Sequence, residues 1–284
     1  MSELQQPEQH SQLQPTSTPQ FSASKITITL SYALSVVGVS MFMFTHSGKH
    51  YQTPFTGILP ITFLYWFVTL LSQFVFLFKL FFNSTVSSTN QANVLAIVGP
   101  HFTISNIFNF FWCWFFMKEK FIISEIILIL NFLNLLMLYF THKTISIKNV
   151  VDWLTIHLPV TGLPLAWNLY AIFWNGACVF HSHNNHLLPR LLANIFIWEF
   201  LVVPGSLLIL YGDWSVGFAT SVLLFSVGLC QFFIKIVALQ WIFAMVIAGI
   251  DFLLSIIVLF SGAIKQVDGA EPAATQNEQA PLLT

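Results

Sequence analysis

Eight times between residues 26 and 261 the chain runs through roughly twenty residues almost free of charge. Each helical residue rises about 1.5 Å, so runs of this length match the hydrocarbon core of a bilayer. In that medium only helices or closed barrels satisfy their own backbone. The candidate spans are 26–45, 58–80, 94–116, 121–140, 156–180, 194–211, 217–236 and 239–261. The last two come from one apolar block, 217–261, too long for a single crossing, with Lys235 and Gln240 marking its turn. Only 7% of residues are charged and 56% are hydrophobic, against about 25% charged in a soluble domain. The expected fold class is therefore all-α: a polytopic transmembrane helical bundle of about eight spans, whose first partner is the lipid bilayer. A net charge of −1 gives no basic footprint, so nucleic acid is excluded as a partner. Cys113, Cys178 and Cys230 lie inside apolar segments and imply no disulfide framework.

Both ends of the chain are polar. Residues 1–24 and 263–284 read as disordered tails, rich in Gln, Ser, Thr, Pro or Ala. Glu278, Leu282 and Leu283 have the ExxxLL spacing of an acidic dileucine sorting signal. Such a signal is read by a cytosolic sorting adaptor, which would favour an endomembrane, vacuolar or endosomal location with both termini cytosolic. The basic residues divide five against five between the two sides, so positive charge assigns no orientation. The sequon at Asn83 lies too near a span to be a good acceptor.

Two phrases place amides and indoles where lipid would surround them: NIFNFFWCWFF (106–116) and PLAWNLYAIFWN (164–175). An amide in hydrocarbon needs a partner or costs a few kcal/mol. The pairs therefore either bond across helices as packing contacts or face a ligand. Asn106 and Asn109 share one helix face, as do Trp167 and Asn175. Pro60, Pro100, Pro159, Pro164 and Pro204 sit within or beside spans, and the Pro159/Pro164 pair marks the place for a cavity-forming bend. Asp251 falls near the middle of its span, where a carboxylate is costly and is a candidate proton or substrate relay together with Glu199. His181, His183 and His186 form one short cluster, a weak metal candidate against an ordinary polar loop. Leu136, Tyr139 and Lys143 fit a sterol-contact pattern.

The order of these phrases resembles the TspO/MBR family, the tryptophan-rich sensory and peripheral benzodiazepine receptor-like proteins. The likeness rests on Asn109-Phe-Phe-Trp112 in the third span, Glu125 opening the fourth, Pro164-Leu-Ala-Trp167 followed by Asn175 in the fifth, and Phe63-Leu-Tyr65-Trp66 in the second. The second span lacks the family's early proline-tryptophan pair, the Pro164–Trp167 spacing is one residue tight, and three spans follow that five-helix members lack. The extended form is also similar to a fungal membrane-protein family of unknown function. The resemblance implies a five-helix core over 25–180 with additional helices over 181–262. It also implies a small hydrophobic-ligand pocket, of the kind that takes tetrapyrroles or sterols, lined by Tyr65, Trp66, Asn109, Trp112, Glu125, Trp167 and Asn175.

No nucleophile–base pair, phosphate loop or second metal cluster stands in the sequence, so no enzymatic activity and no cofactor are expected. The leading expectation is a membrane protein that binds, and in one version moves, a small hydrophobic or amphipathic molecule. The rival is a proton- or cation-coupled transporter using Asp251 and Glu199. A third reading is a metal-dependent enzyme built on the histidine cluster.

Overall fold

A computed structural model describes residues 18–46, 52–82, 88–142, 153–180, 187–234, 237 and 239–268. Among these the structure is entirely helical. The helices are α1 (Thr18–His46), α2 (Leu59–Phe82), α3 (Ser88–Met117), α4 (Phe121–His142), α5 (Trp153–Phe180), α6 (Leu187–Phe196, then Glu199–Tyr211), α7 (Trp214–Ile234) and α8 (Gln240–Asp268). Seven of them are long and apolar enough to cross a membrane. The remaining one, α3, has the length at 30 residues, but His101, Asn106 and Asn109 dilute its apolarity. The long apolar block does divide near Gln240, and α7 starts at Trp214, three residues before the sequence boundary.

The fifth helix is the axis. In it 72% of the apolar window is enclosed by protein, against 61% for α7 and at most 39% for the others. α4 and α7 pack along it, α3 packs on α4, α1 on α3, and α2 lies against its first half and against α7. One apolar cluster runs through the bundle from Val39 of α1 through Trp112, Trp167 and Phe200 to Ile247 of α8. Lipid-facing positions carry exposed Leu, Ile and Phe, as on α2, where Leu64, Phe67, Leu71, Phe74 and Phe78 form the outer stripe.

Local sequence explains the irregular places. The first ten residues of α5, Trp153–Gly162, are wound as a π-helix, and α-winding begins at Leu163. In π-winding a carbonyl accepts from the N–H five residues on, and for Pro159 that residue is Pro164, which has none. Gln73 of α2 supplies a donor instead, Nε2 to the Pro159 carbonyl at 3.4 Å. Tyr65 donates its hydroxyl to the Leu163 carbonyl at 2.8 Å, where the winding changes. Polar side chains join the neighbouring helices in the same way. Asn131 donates to Asn168 at 2.9 Å and Asn168 to the Leu128 carbonyl at 2.8 Å. His101 and Asn134 pair twice between α3 and α4. Each such bond within a membrane contributes about 1 kcal/mol.

The three C-terminal helices cross where the chain is thinnest. A Cβ added at Gly217 would stand 2.5 Å from Leu208 of α6 and 2.5 Å from Ser255 of α8. The turn from α3 to α4 ends on Glu119 in the left-handed region (φ 58°). Lys120 N–H bonds to the Phe115 carbonyl and Glu119 N–H to that of Phe116, each at 2.9 Å, which is a Schellman close at a position where glycine is usual. Glu119→Gly is therefore expected to raise stability by about 1 kcal/mol, read as a higher midpoint in thermal denaturation of the detergent-solubilised protein.

Candidate functional site

A cavity of about 20 Å³ opens inside the bundle, lined by residues of α2 to α5. That is room for a water-sized group. α2 contributes Trp66, Thr69 and Gln73, α3 Ser105, Asn106 and Asn109, α4 Asn131, and α5 Pro164 and Trp167. The proline lies in the first turn of the α-wound part of α5, so the cavity sits at the change of winding. Its aromatic wall is built edge to face: Trp66 meets Trp167 with ring centroids 4.7 Å apart, and Trp112 meets Trp167 at 5.9 Å. The indole nitrogens of Trp66, Trp112 and Trp167 are buried without a hydrogen-bond acceptor among the described residues.

The residues expected from sequence divide into two groups. Trp66, Asn109 and Trp167 line the cavity. Tyr65 and Trp112 pack against Trp167 just behind it. Glu125 and Asn175 meet each other elsewhere, with Asn175 Nδ2 donating to Glu125 Oε2 at 2.6 Å and to the Phe121 carbonyl at 2.9 Å. Ser124 completes that clasp by donating to Asn175 Oδ1 at 2.7 Å. Its bonds are all made within the protein, so it joins α4 to α5. Asp251 is fully buried, and neither carboxyl oxygen meets a hydrogen-bond partner among the described residues. Glu199 is not brought to it and lies exposed at the break in α6. His181, His183, His186 and the tail residues Glu278, Leu282 and Leu283 fall outside the described residues. Among the described residues no group of three or more metal-binding side chains occurs.

Sequence reasoning overlooked Asn131, Thr69 and Gln73, although each is a polar residue inside an apolar span, the same signal that marked Asn109. It also overlooked a buried pair. His157 Nε2 lies 2.8 Å from Asp213 Oδ2, with the two side chains 2% and 0% exposed. Gly212 makes this possible: its left-handed φ of 64° closes α6, so Asp213 falls at the start of α7. There its other oxygen accepts from the Ser215 N–H at 3.0 Å and the Ser215 hydroxyl at 2.5 Å. Trp153 packs on the imidazole with ring centroids 4.3 Å apart. Burial pushes the Asp213 carboxyl up. The neighbouring His157 and the hydrogen bonds from His157, Ser215 and Tyr139 oppose this and hold it below the ordinary carboxylate range. The pair ties the π-wound start of α5 to the α6–α7 turn.

Residues 190–283 match a family described as a fungal protein of unknown function (DUF1774). The chain is also similar to an uncharacterized protein of Schizosaccharomyces pombe, 28% identical over 179 residues, which is 63% of each chain. It thus spans about 63% of the length of that relative. The TspO/MBR family is not among the matches, and no solved structure matches. The sequence and fold describe a multi-pass helical protein of membrane type, and the matching family carries no assigned activity.

A carboxyl held below its unfolded value, about 3.9, stabilises the fold above that pH. The contribution is lost as pH falls through the lower folded value. Asp213→Ala, which removes the acceptor shared by His157 and Ser215, is expected to cost about 1–3 kcal/mol at neutral pH. It should also flatten the acid side of the stability-versus-pH curve measured by denaturant unfolding in detergent.

Proposed function

We propose that this protein is a multi-pass membrane binding protein, not an enzyme, whose cavity between α2, α3, α4 and α5 receives the polar end of a small amphipathic molecule. The observation that carries this reading is the cavity itself: buried tryptophan and asparagine side chains from four helices meet around a space they do not fill. At about 20 Å³ the space takes a polar head group and not a whole tetrapyrrole or sterol. The likeness of residues 25–180 to TspO-type phrases supports the same class of ligand. The tail signal at Glu278, Leu282 and Leu283 supports delivery to an endomembrane compartment through a cytosolic adaptor.

A thermal-shift screen of the purified protein against porphyrins, sterols and cationic amphiphiles tests the reading. A true ligand raises the melting temperature and changes tryptophan fluorescence. In Trp66→Phe and Trp167→Phe, which keep a ring but lose the indole N–H, its affinity should drop roughly tenfold, the equivalent of about 1.4 kcal/mol. Equal affinity in both variants, or no response to any compound, would sink the proposal.

One observation favours a second reading, coupled transport. The register of α7 against α8 pairs Gly217 with Ser255, Phe218 with Phe252 and Gly228 with Met245. Asp251 therefore falls opposite Thr220 and Ser221. The Thr220 hydroxyl, like the Asp251 carboxyl, is buried without a partner among the described residues. A carboxyl in such a place carries a proton more cheaply than a charge. In this reading Asp251→Asn leaves ligand affinity intact and abolishes pH-driven uptake into proteoliposomes; uptake equal to wild type would rule it out.

A further inference from the structure

The side chains around the cavity have already committed part of their hydrogen-bonding capacity to the protein, and what they have left differs from what their names suggest. Thr69 donates its single hydroxyl proton to the Tyr65 carbonyl at 2.9 Å, so its oxygen can only accept. Asn106 is anchored through nitrogen, Nδ2 to the Phe102 carbonyl at 3.0 Å, and Gln73 through Nε2 to the Pro159 carbonyl. A backbone carbonyl cannot donate, so neither amide can be turned end for end. Asn131 is fixed one step further on. Asn168 must give its nitrogen to the Leu128 carbonyl, which makes its oxygen the acceptor for Asn131 Nδ2. Asn109 gives Nδ2 to Ser35 Oγ at 2.8 Å, a hydroxyl that can also donate, so this amide is not fixed end for end.

The amides anchored on carbonyl oxygens, Asn106, Gln73 and Asn131, each keep the carbonyl oxygen and one N–H uncommitted, and Asn131 Oδ1 is buried with no partner among the described residues. The two indole N–H groups on the wall run the other way. Their rings pack edge to face at 4.7 Å, an arrangement in which an N–H can rest on a neighbouring ring. The same ring faces attract a cation. Carbonyl and hydroxyl oxygens beside indole faces, in a space the size of one water, suit a compact group that donates several hydrogen bonds.

We propose that the cavity binds a protonated primary amine, the ammonium end of an alkylammonium amphiphile. This rests on the binding function argued above and specifies the chemistry of the head group. A carboxylate donates nothing and would leave Asn131 Oδ1 and the Thr69 oxygen without a donor, and a hydroxyl would satisfy only one of them.

The test uses the full-length protein in detergent with three ligands of one chain length: octylammonium, octanoate and octanol. Tryptophan fluorescence and melting temperature are read for wild type, for Asn109→Asp, and for a double variant carrying Trp66→Phe and Trp167→Phe. The expected result is half-saturation by octylammonium at a concentration at least tenfold below the other two. Asn109→Asp, nearly isosteric and able to accept the Ser35 hydroxyl proton where Asn109 donates to that oxygen, should tighten octylammonium at least tenfold further while leaving octanol unchanged. Preferred binding of octanoate or octanol, or no tightening in Asn109→Asp, overturns the inference and leaves the binding function standing. Half-saturation by octylammonium at the wild-type concentration in the double tryptophan variant also overturns it, because the amine is then partitioning into detergent. If none of the three ligands responds and the wider screen is silent too, the binding function fails and this inference with it.

Discussion

A helix with prolines at 159 and 164 can run through the middle of a membrane bundle only if its neighbours supply the hydrogen bonds it cannot make for itself. In lipid no water stands ready to do so. Gln73 and Tyr65, both on α2, meet the carbonyls of Pro159 and Leu163 where the winding changes. Asn131, Glu125 and Ser124 hold the far face of the same helix through Asn168 and Asn175. At this height α2, α3, α4 and α5 meet around the cavity, while α2 and α3 pack on each other beside it through Phe76 and Phe102. The hollow lies beside the point where this irregular axial helix is held, and Gln73 and Asn131 both hold the helix and line the hollow.

The second constraint is the turn between α6 and α7. Gly212 in the left-handed region reverses the chain within two residues and sets Asp213 against His157 of the axial helix. The three C-terminal helices are thereby fastened to the π-wound start of α5. The close approach at Gly217 then lets α6, α7 and α8 cross without a gap. Residues 190–283, which match the fungal family of unknown function, include this turn and crossing.

Much of the bundle was legible in the chain because lipid imposes a strict length and composition on every crossing. Helix positions 58–80 and 121–140 lie within two residues of α2 and α4, since charged or polar loops bound them clearly. The tryptophan and asparagine phrases were equally legible as oddities in hydrocarbon. What they join was not. Glu125 and Asn175 looked like members of the same pocket as Trp167, because Asn175 and Trp167 lie on one face of α5 at eight residues' spacing. Eight residues also means about 12 Å along the axis, enough to place Asn175 at a separate contact with α4. His157 and Asp213 are 56 residues apart, and neither sits in a motif, so no local pattern announced them.

By itself, then, the sequence determined an all-helical membrane bundle, the approximate limits of its spans, and the presence of polar groups that must find partners within it. Those follow from the hydrophobic thickness of a bilayer and the cost of an unsatisfied amide, both of which act on short stretches of chain. Tertiary structure alone decided which amides pair with which, that four helices meet around a space, that Asn131 keeps a buried carbonyl oxygen unpaired, and that Asp251 is left without a partner, both among the described residues. Pairing depends on the rotation and height of each helix against its neighbours, and many weak packing contacts along the whole bundle set these together.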